Sequence, residues 1–233
     1  MVLAMLVVGA APAHAFDHTV GLRYRHGWVP RGLIDNWFFD IDDAGALPYQ
    51  RPGIRVPMFG LEYTLALRED GGTAFVFWVE RVGLKIDDGY WDDREEPPDH
   101  LDGTWVATDG GLGAWTIGAN HLSELPLSPT TAPVWASVVL GFGVGAAVRT
   151  GDLIFWHSGD HPELIDPSCQ ISMPAPQRYS ECPSDGTLPV PSALPILDLT
   201  LGTRVHLSEH ATIRLEGGIH NVLYLGLSAG GSF

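Results

Sequence analysis

Histidines and serines set close together are where hydrolytic chemistry would begin, and the chain has two such places. In His206-Leu207-Ser208 a base stands two residues from a hydroxyl, and Glu124 or Glu216 could orient the imidazole, the arrangement that activates a serine nucleophile. In Trp156-His157-Ser158-Gly159-Asp160-His161 the pair His157 and Ser158 adjoins a carboxylate, and the same residues could hold a metal ion. Both stretches also have the ordinary composition of a polar strand end, and no catalysis is the expectation. Asp40-Ile41-Asp42-Asp43-Ala44-Gly45 begins like a calcium loop, but the distal glutamate that such a loop requires is absent. Asp40, Asp42 and Asp43 are therefore candidate cation ligands without a complete motif.

The wider charge pattern points the same way. The 233 residues carry 28 acids against 13 Lys and Arg, a net charge of −15, which excludes a basic footprint for nucleic acid. Eighteen of the acids fall in three stretches, 35–43, 87–109 and 160–185. These could gather divalent cations through hard oxygen ligands, and no other cofactor is expected.

The elements that would position these groups have a period of two. In Thr212–His220, Ile213, Leu215 and Ile219 alternate with Thr212, Arg214, Glu216 and His220. Leu197, Leu199, Leu201, Val205 and Leu207 likewise oppose Asp198, Thr200, Arg204 and His206. The apolar run Ala132–Val148 is long enough to suggest a membrane helix. Gly141, Gly143 and Gly145 would each cost a helix roughly 1 kcal/mol, and their spacing is again that of a strand. Eight strands are expected, near 18–29, 54–69, 73–88, 112–127, 133–156, 193–208, 211–220 and 222–233. Short turns follow the second, fourth and sixth, and long loops follow the first, third and fifth. Glu80 and Arg81 are adjacent, so alternation puts them on opposite faces, and sequence alone leaves open which points inward.

Strands of this length, even in number, with short turns at one end and long loops at the other, specify an all-β fold: an eight-stranded antiparallel up-and-down transmembrane β-barrel. The non-apolar face mixes small residues with charges of both signs, Arg23, Arg25, Glu62, Arg149, Asp198, Arg204, Arg214 and Glu216. In a barrel this narrow those charges must pair within the lumen, because an isolated buried charge is expensive. Trp28, Tyr90, Trp91, Trp115, Phe155 and Trp156 toward the long loops, with Phe75, Trp135 and Phe233 toward the short turns, form two expected interfacial belts.

The alternation and the final strand, in which Leu223, Leu225, Leu227, Ala229, Gly231 and Phe233 share one face, resemble small outer-membrane barrels of the OmpA/OmpW type from Gram-negative bacteria. The resemblance implies a monomer in the outer membrane, in contact with outer-membrane lipid and lipopolysaccharide. It also implies that Phe233 serves as part of the signal for the barrel-assembly machinery, although Gly231 departs from the large residue usual two places earlier. A structural or surface-interaction role is expected, with a narrow pore or a lipid A-modifying hydrolase as alternatives. The His206-x-Ser208 spacing is similar to that of the small-barrel lipid A deacylases. Residues 1–15, an apolar run closed by Ala13-His14-Ala15, have the form of a signal peptide, leaving 16–233 as one barrel domain. Cys169 and Cys182, a local pair in an exported chain, are expected to form a disulfide, which would constrain the third long loop by about 3 kcal/mol.

Overall fold

The computed structural model describes residues 16–30, 32–33, 53–67, 72–87, 89–91, 104–108, 111–156 and 182–233. Eight long strands form the barrel: β1 (Phe16–Val29), β2 (Ile54–Leu67), β3 (Thr73–Gly83), β7 (Gly113–Pro126), β8 (Trp135–Thr150), β11 (Ala193–Ser208), β12 (Ala211–His220) and β13 (Leu223–Ser232). Each pairs antiparallel with the next, and β13 pairs back to β1, with Val20 opposite Gly231 and Trp28 opposite Leu223. The sheet therefore closes and leaves no barrel edge unpaired. No helix among the described residues is long and apolar enough to cross a membrane, so any crossing is made by strands.

The burial pattern is that of a water-soluble protein turned inside out. Leu22, Phe59, Phe77, Ile117, Phe142, Val144, Leu199, Leu215 and Leu225 stand on the outer face with two-fifths or more of their surface exposed. Arg23, Arg25, Glu80, Asp198, Arg214 and Glu216 lie inside and are almost fully buried. A continuous apolar girdle of this extent cannot face water without large cost, at about 1.5–3 kcal/mol for each large side chain, so it requires hydrocarbon around it. The fold is a transmembrane β-barrel.

The expected aromatic belts are met at some positions and corrected at others. Trp115 and Phe75 face outward, and beside the short turns Phe233 stacks near His18, itself stacked with Tyr63. Trp135 instead shares the inward phase of Ser137 and Val139 and turns into the lumen, where it stacks on His206. Trp156 is buried outside the barrel wall. The side chains of Tyr90 and Trp91 lie outside the described residues.

Two of the expected strands are shorter than their alternation suggested. The third stops at Gly83, after which β4 (Lys85–Ile86) pairs with the start of β2. The fifth ends at Thr150, where Gly151 adopts φ +73°, a left-handed turn that glycine takes without strain. A Cβ there would lie within 2.8 Å of the backbone at Gly111 and Leu112. Beyond the turn the chain enters a second, four-stranded sheet of β5 (Gly89–Trp91), β6 (Thr104–Thr108), β9 (Leu153–Trp156) and β10 (Gly186–Thr187), in the order β10-β9-β6-β5. It packs on Ala107 and Trp156, and the Trp156 indole N–H donates to the Pro183 carbonyl at 3.1 Å. The bases of the second and third long connections are thus joined to one another above the barrel wall.

Candidate functional site: the barrel lumen

The interior has three levels set by which side chains share the inward phase of each strand. At the long-loop end it is apolar. Val56 and Met58 of β2, Val82 of β3 and Tyr224 of β13 pack together with Ile54, Leu84, Ala114 and Val222.

The middle level is a layer of alternating charge. Glu62 accepts from Arg214 Nη2 at 2.6 Å, Arg214 Nε donates to Glu216 Oε2 at 2.7 Å, and Arg25 Nε donates to Glu216 Oε1 at 2.7 Å. Arg25 Nη1 then reaches Asp198 Oδ2 at 2.5 Å, so five residues from β1, β2, β11 and β12 form one chain of ion pairs across the lumen. Asp198 also accepts from Asn120 Nδ2 at 2.6 Å and from the Thr200 hydroxyl at 2.8 Å, and it contacts His220 Nδ1 at 2.6 Å. Arg23 lies 3.1 Å from Glu80 and within 4 Å of Glu62, Glu216 and Asp198. Two guanidiniums lie over rings: Arg25 is 4.1 Å from the Tyr224 ring centre and Arg23 5.5 Å from that of Trp78, whose indole N–H donates to Asn120 at 2.8 Å.

This layer needs glycine opposite its longest side chains. A Cβ on Gly60 would sit 2.6 Å from the Glu80 side chain and 2.1 Å from the Val79 carbonyl, and one on Gly226 would meet Arg25 at 2.7 Å. The small residues of the inner face are thus the space the charges occupy.

The third level opens toward the short turns. Here a cavity of about 700 Å³ is walled by residues of all eight barrel strands. Arg204 Nη1 donates to Glu124 Oε2 at 2.7 Å, His206 Nε2 lies 2.8 Å from Glu124 Oε1, and the Ser137 hydroxyl donates to the same oxygen. The Trp135 and His206 rings are stacked at 3.6 Å and 6°.

The eight charges singled out in the sequence therefore take different places. Arg23, Arg25, Glu62, Asp198, Arg214 and Glu216 meet in the middle layer, and Arg204 joins Glu124 in the cavity wall. Arg149 has the inward phase but stands too near the long-loop rim to reach them, and pairs with Asp152 and the Gly151 carbonyl instead. Glu80 is the inward member of its pair, opposite Gly60. Arg81 faces outward, donates to the Val82 and Ala114 carbonyls and lies over Trp115. Trp78, Asn120, His220 and Tyr224 complete the layer. Their phase, shared with Glu80, Gly118, Glu216 and Gly226, was the available signal.

Of the possible catalytic groups, His206 and Ser208 are separated by a bulge in the β11–β12 ladder. His206 turns to Glu124 and Trp135, while the Ser208 hydroxyl accepts the His210 backbone N–H at 3.2 Å. His157, Ser158, Asp40, Asp42, Asp43 and Cys169 lie outside the described residues. Among the described residues no cysteine is free, Cys182 included, and no cluster of three metal-ligating side chains occurs.

No protein-family model matches the sequence, and neither does any curated protein. Among solved structures the chain matches Ail, the attachment invasion locus protein of Yersinia pestis, solved in complex with the heparin analogue sucrose octasulfate. The match spans 94% of this chain and 99% of that one, at 11% identity and a TM-score of 0.37. At those values the likeness says nothing about ligand or role.

Proposed function

We propose that the chain is an outer-membrane barrel of a Gram-negative bacterium that conducts no solute and serves as a rigid mount for its long acidic loops at the cell surface. The observation that carries this reading is the middle layer. Arg23, Arg25, Glu62, Glu80, Asp198, Arg214 and Glu216 are each at most 7% exposed, which leaves no continuous water path between the two ends. An apolar cap lies directly above it. The joined strands of the second sheet fit a mount, since they hold two of the acid-bearing connections in a fixed relation.

On this reading the acidic loops contact lipopolysaccharide through shared divalent cations or meet another surface ligand, and the chain acts as a monomer without catalysis. Residues 1–15 direct export, the strand ending in Phe233 is recognised by the barrel-assembly machinery, and Cys169 pairs with Cys182. Planar-bilayer recording tests the central claim: the purified protein should give no conductance steps, and reproducible unitary steps would sink it. Lipid A from cells producing the protein should keep its mass, whereas loss of an acyl chain would establish the hydrolase instead.

A further inference from the structure

The cavity at the short-turn end is not needed to keep the barrel closed, because the middle layer and the apolar cap already close it. At the other end the same barrel fills its interior with Met58, Tyr224, Val56 and Val82. Here it leaves about 700 Å³, within the range of a small-molecule site.

The lining is specific in three ways. Its inner charged wall is already matched, Arg204 with Glu124 and Arg214 with Glu62 and Glu216, and two further carboxylates, Asp17 and Glu209, stand at the short-turn rim, Glu209 beside His210. A charged ligand would have to displace a partner and strand the other in a half-buried wall, which disfavours both anions and cations. The hydroxyls of Thr19, Thr64, Thr73, Thr212, Ser228 and Ser232 ring the same space and can each donate or accept. Finally, the mutually stacked Trp135 and His206 rings both line the space, with His206 still partly exposed. Flat apolar area beside paired carboxylate and guanidinium groups is the chemistry that holds a ring bearing hydroxyls on its edge and C–H bonds on its face.

We infer that this cavity is a binding site for a neutral, polyhydroxylated ring compound of the glycan class, seated against Trp135 and His206 and hydrogen-bonded by Glu124, Arg204 and the threonine and serine hydroxyls. The inference is independent of what the acidic loops contact. It survives or fails whether or not they bind lipopolysaccharide, because the cavity lies at the opposite end of the barrel.

The test is calorimetric titration of the membrane-extracted protein, held in a zwitterionic detergent that carries no sugar headgroup, with the N-acetylglucosamine trisaccharide as probe. Saturable binding is expected. Trp135→Ala should weaken it by about tenfold, the scale of losing one aromatic contact. Thr212→Trp fills the cavity from the strand position opposite His206 and should abolish binding, while Leu225→Ala on the lipid face should leave it unchanged. Each variant is first checked for the heat-dependent gel shift of a folded barrel, so a folding failure of Trp135→Ala leaves Thr212→Trp to decide. Absence of saturation with the parent protein overturns the proposal, as does equal affinity in Thr212→Trp. Equal affinity for a linear polyol of similar hydroxyl content also overturns it, because ring stacking would then contribute nothing.

Discussion

The two halves of the lumen are built from the same eight strands and the same alternation, yet one is packed across its width and the other is partly hollow. Toward the long loops, inward positions hold Met58, Tyr224 and Val82, over a charge layer in which Arg25 is held on both sides by carboxylates. Toward the short turns, Val76, Leu122 and Val139 of β3, β7 and β8 pack against one another, and Thr64, Thr212, Ser228 and Ser232 of the remaining strands border open space. The outer face scarcely differs between the halves, since lipid asks the same of both. What distinguishes them is side-chain volume at alternate positions, so the barrel wall and its contents are separable: the wall makes a membrane protein, and the contents decide whether anything enters it. Stability should therefore reside in the filled half and ligand chemistry in the hollow one.

The largest expected effect breaks the filled half. Arg25→Ala removes a guanidinium that answers both Glu216 and Asp198, leaving two carboxylates short of their partner in a buried layer. A cost of about 3–5 kcal/mol is expected, measured as a shift in the urea midpoint for folding into lipid vesicles, with the gel band shift as readout. A parental midpoint would mean that the layer is solvated and the separation of the halves is wrong. Next in size is the outer face, where Leu215→Arg near the middle of β12 should cost about 2–4 kcal/mol in vesicles. In a soluble barrel the same exposed position would tolerate arginine, so a neutral result would remove the membrane from the account.

Much of the wall was legible in the sequence because lipid on one side and a narrow lumen on the other enforce strict alternation. Leu197 through Leu207 and Ile213 through Ile219 show their outer face without ambiguity. The second sheet was not legible, since β5, β9 and β10 have two to four residues each, too few for a period to register. The alternation runs past the strand ends at Gly83, where Lys85 and Ile86 pair with the start of β2 instead, and at Thr150, where the Gly151 turn precedes the apolar Leu153–Trp156. Within the lumen, charges declare themselves by phase, whereas Trp135 reads by type as an interfacial residue and the types of Trp78 and Tyr224 name no face. An aromatic residue suits a membrane interface and a packed interior equally well, so its type carries no direction. Its phase does: Trp135 alternates with Ser137, Val139 and Gly141, and Tyr224 with Gly226 and Ser228. Arg149 shows the limit of phase, because an inward position at the rim is inward in name only.

The smallest effects sharpen the contrast most, because they compare equivalent inward positions on one strand. Met58 and Thr64 both lie on β2, six residues apart and both buried, one in the apolar cap and one beside the cavity. Met58→Ala empties space between Val56, Val82 and Tyr224 that water has no polar reason to enter, and should cost about 2 kcal/mol or more in the same vesicle assay. Thr64→Ala only enlarges a space already open to solvent and should stay within about 0.5 kcal/mol of the parent. If the two substitutions cost the same, the hollow half is as tightly determined as the filled one, and the cavity would have to be read as packing that happens to be loose. If Met58→Ala alone is costly, the barrel keeps its stability at one end and leaves the other free to be shaped by what it binds.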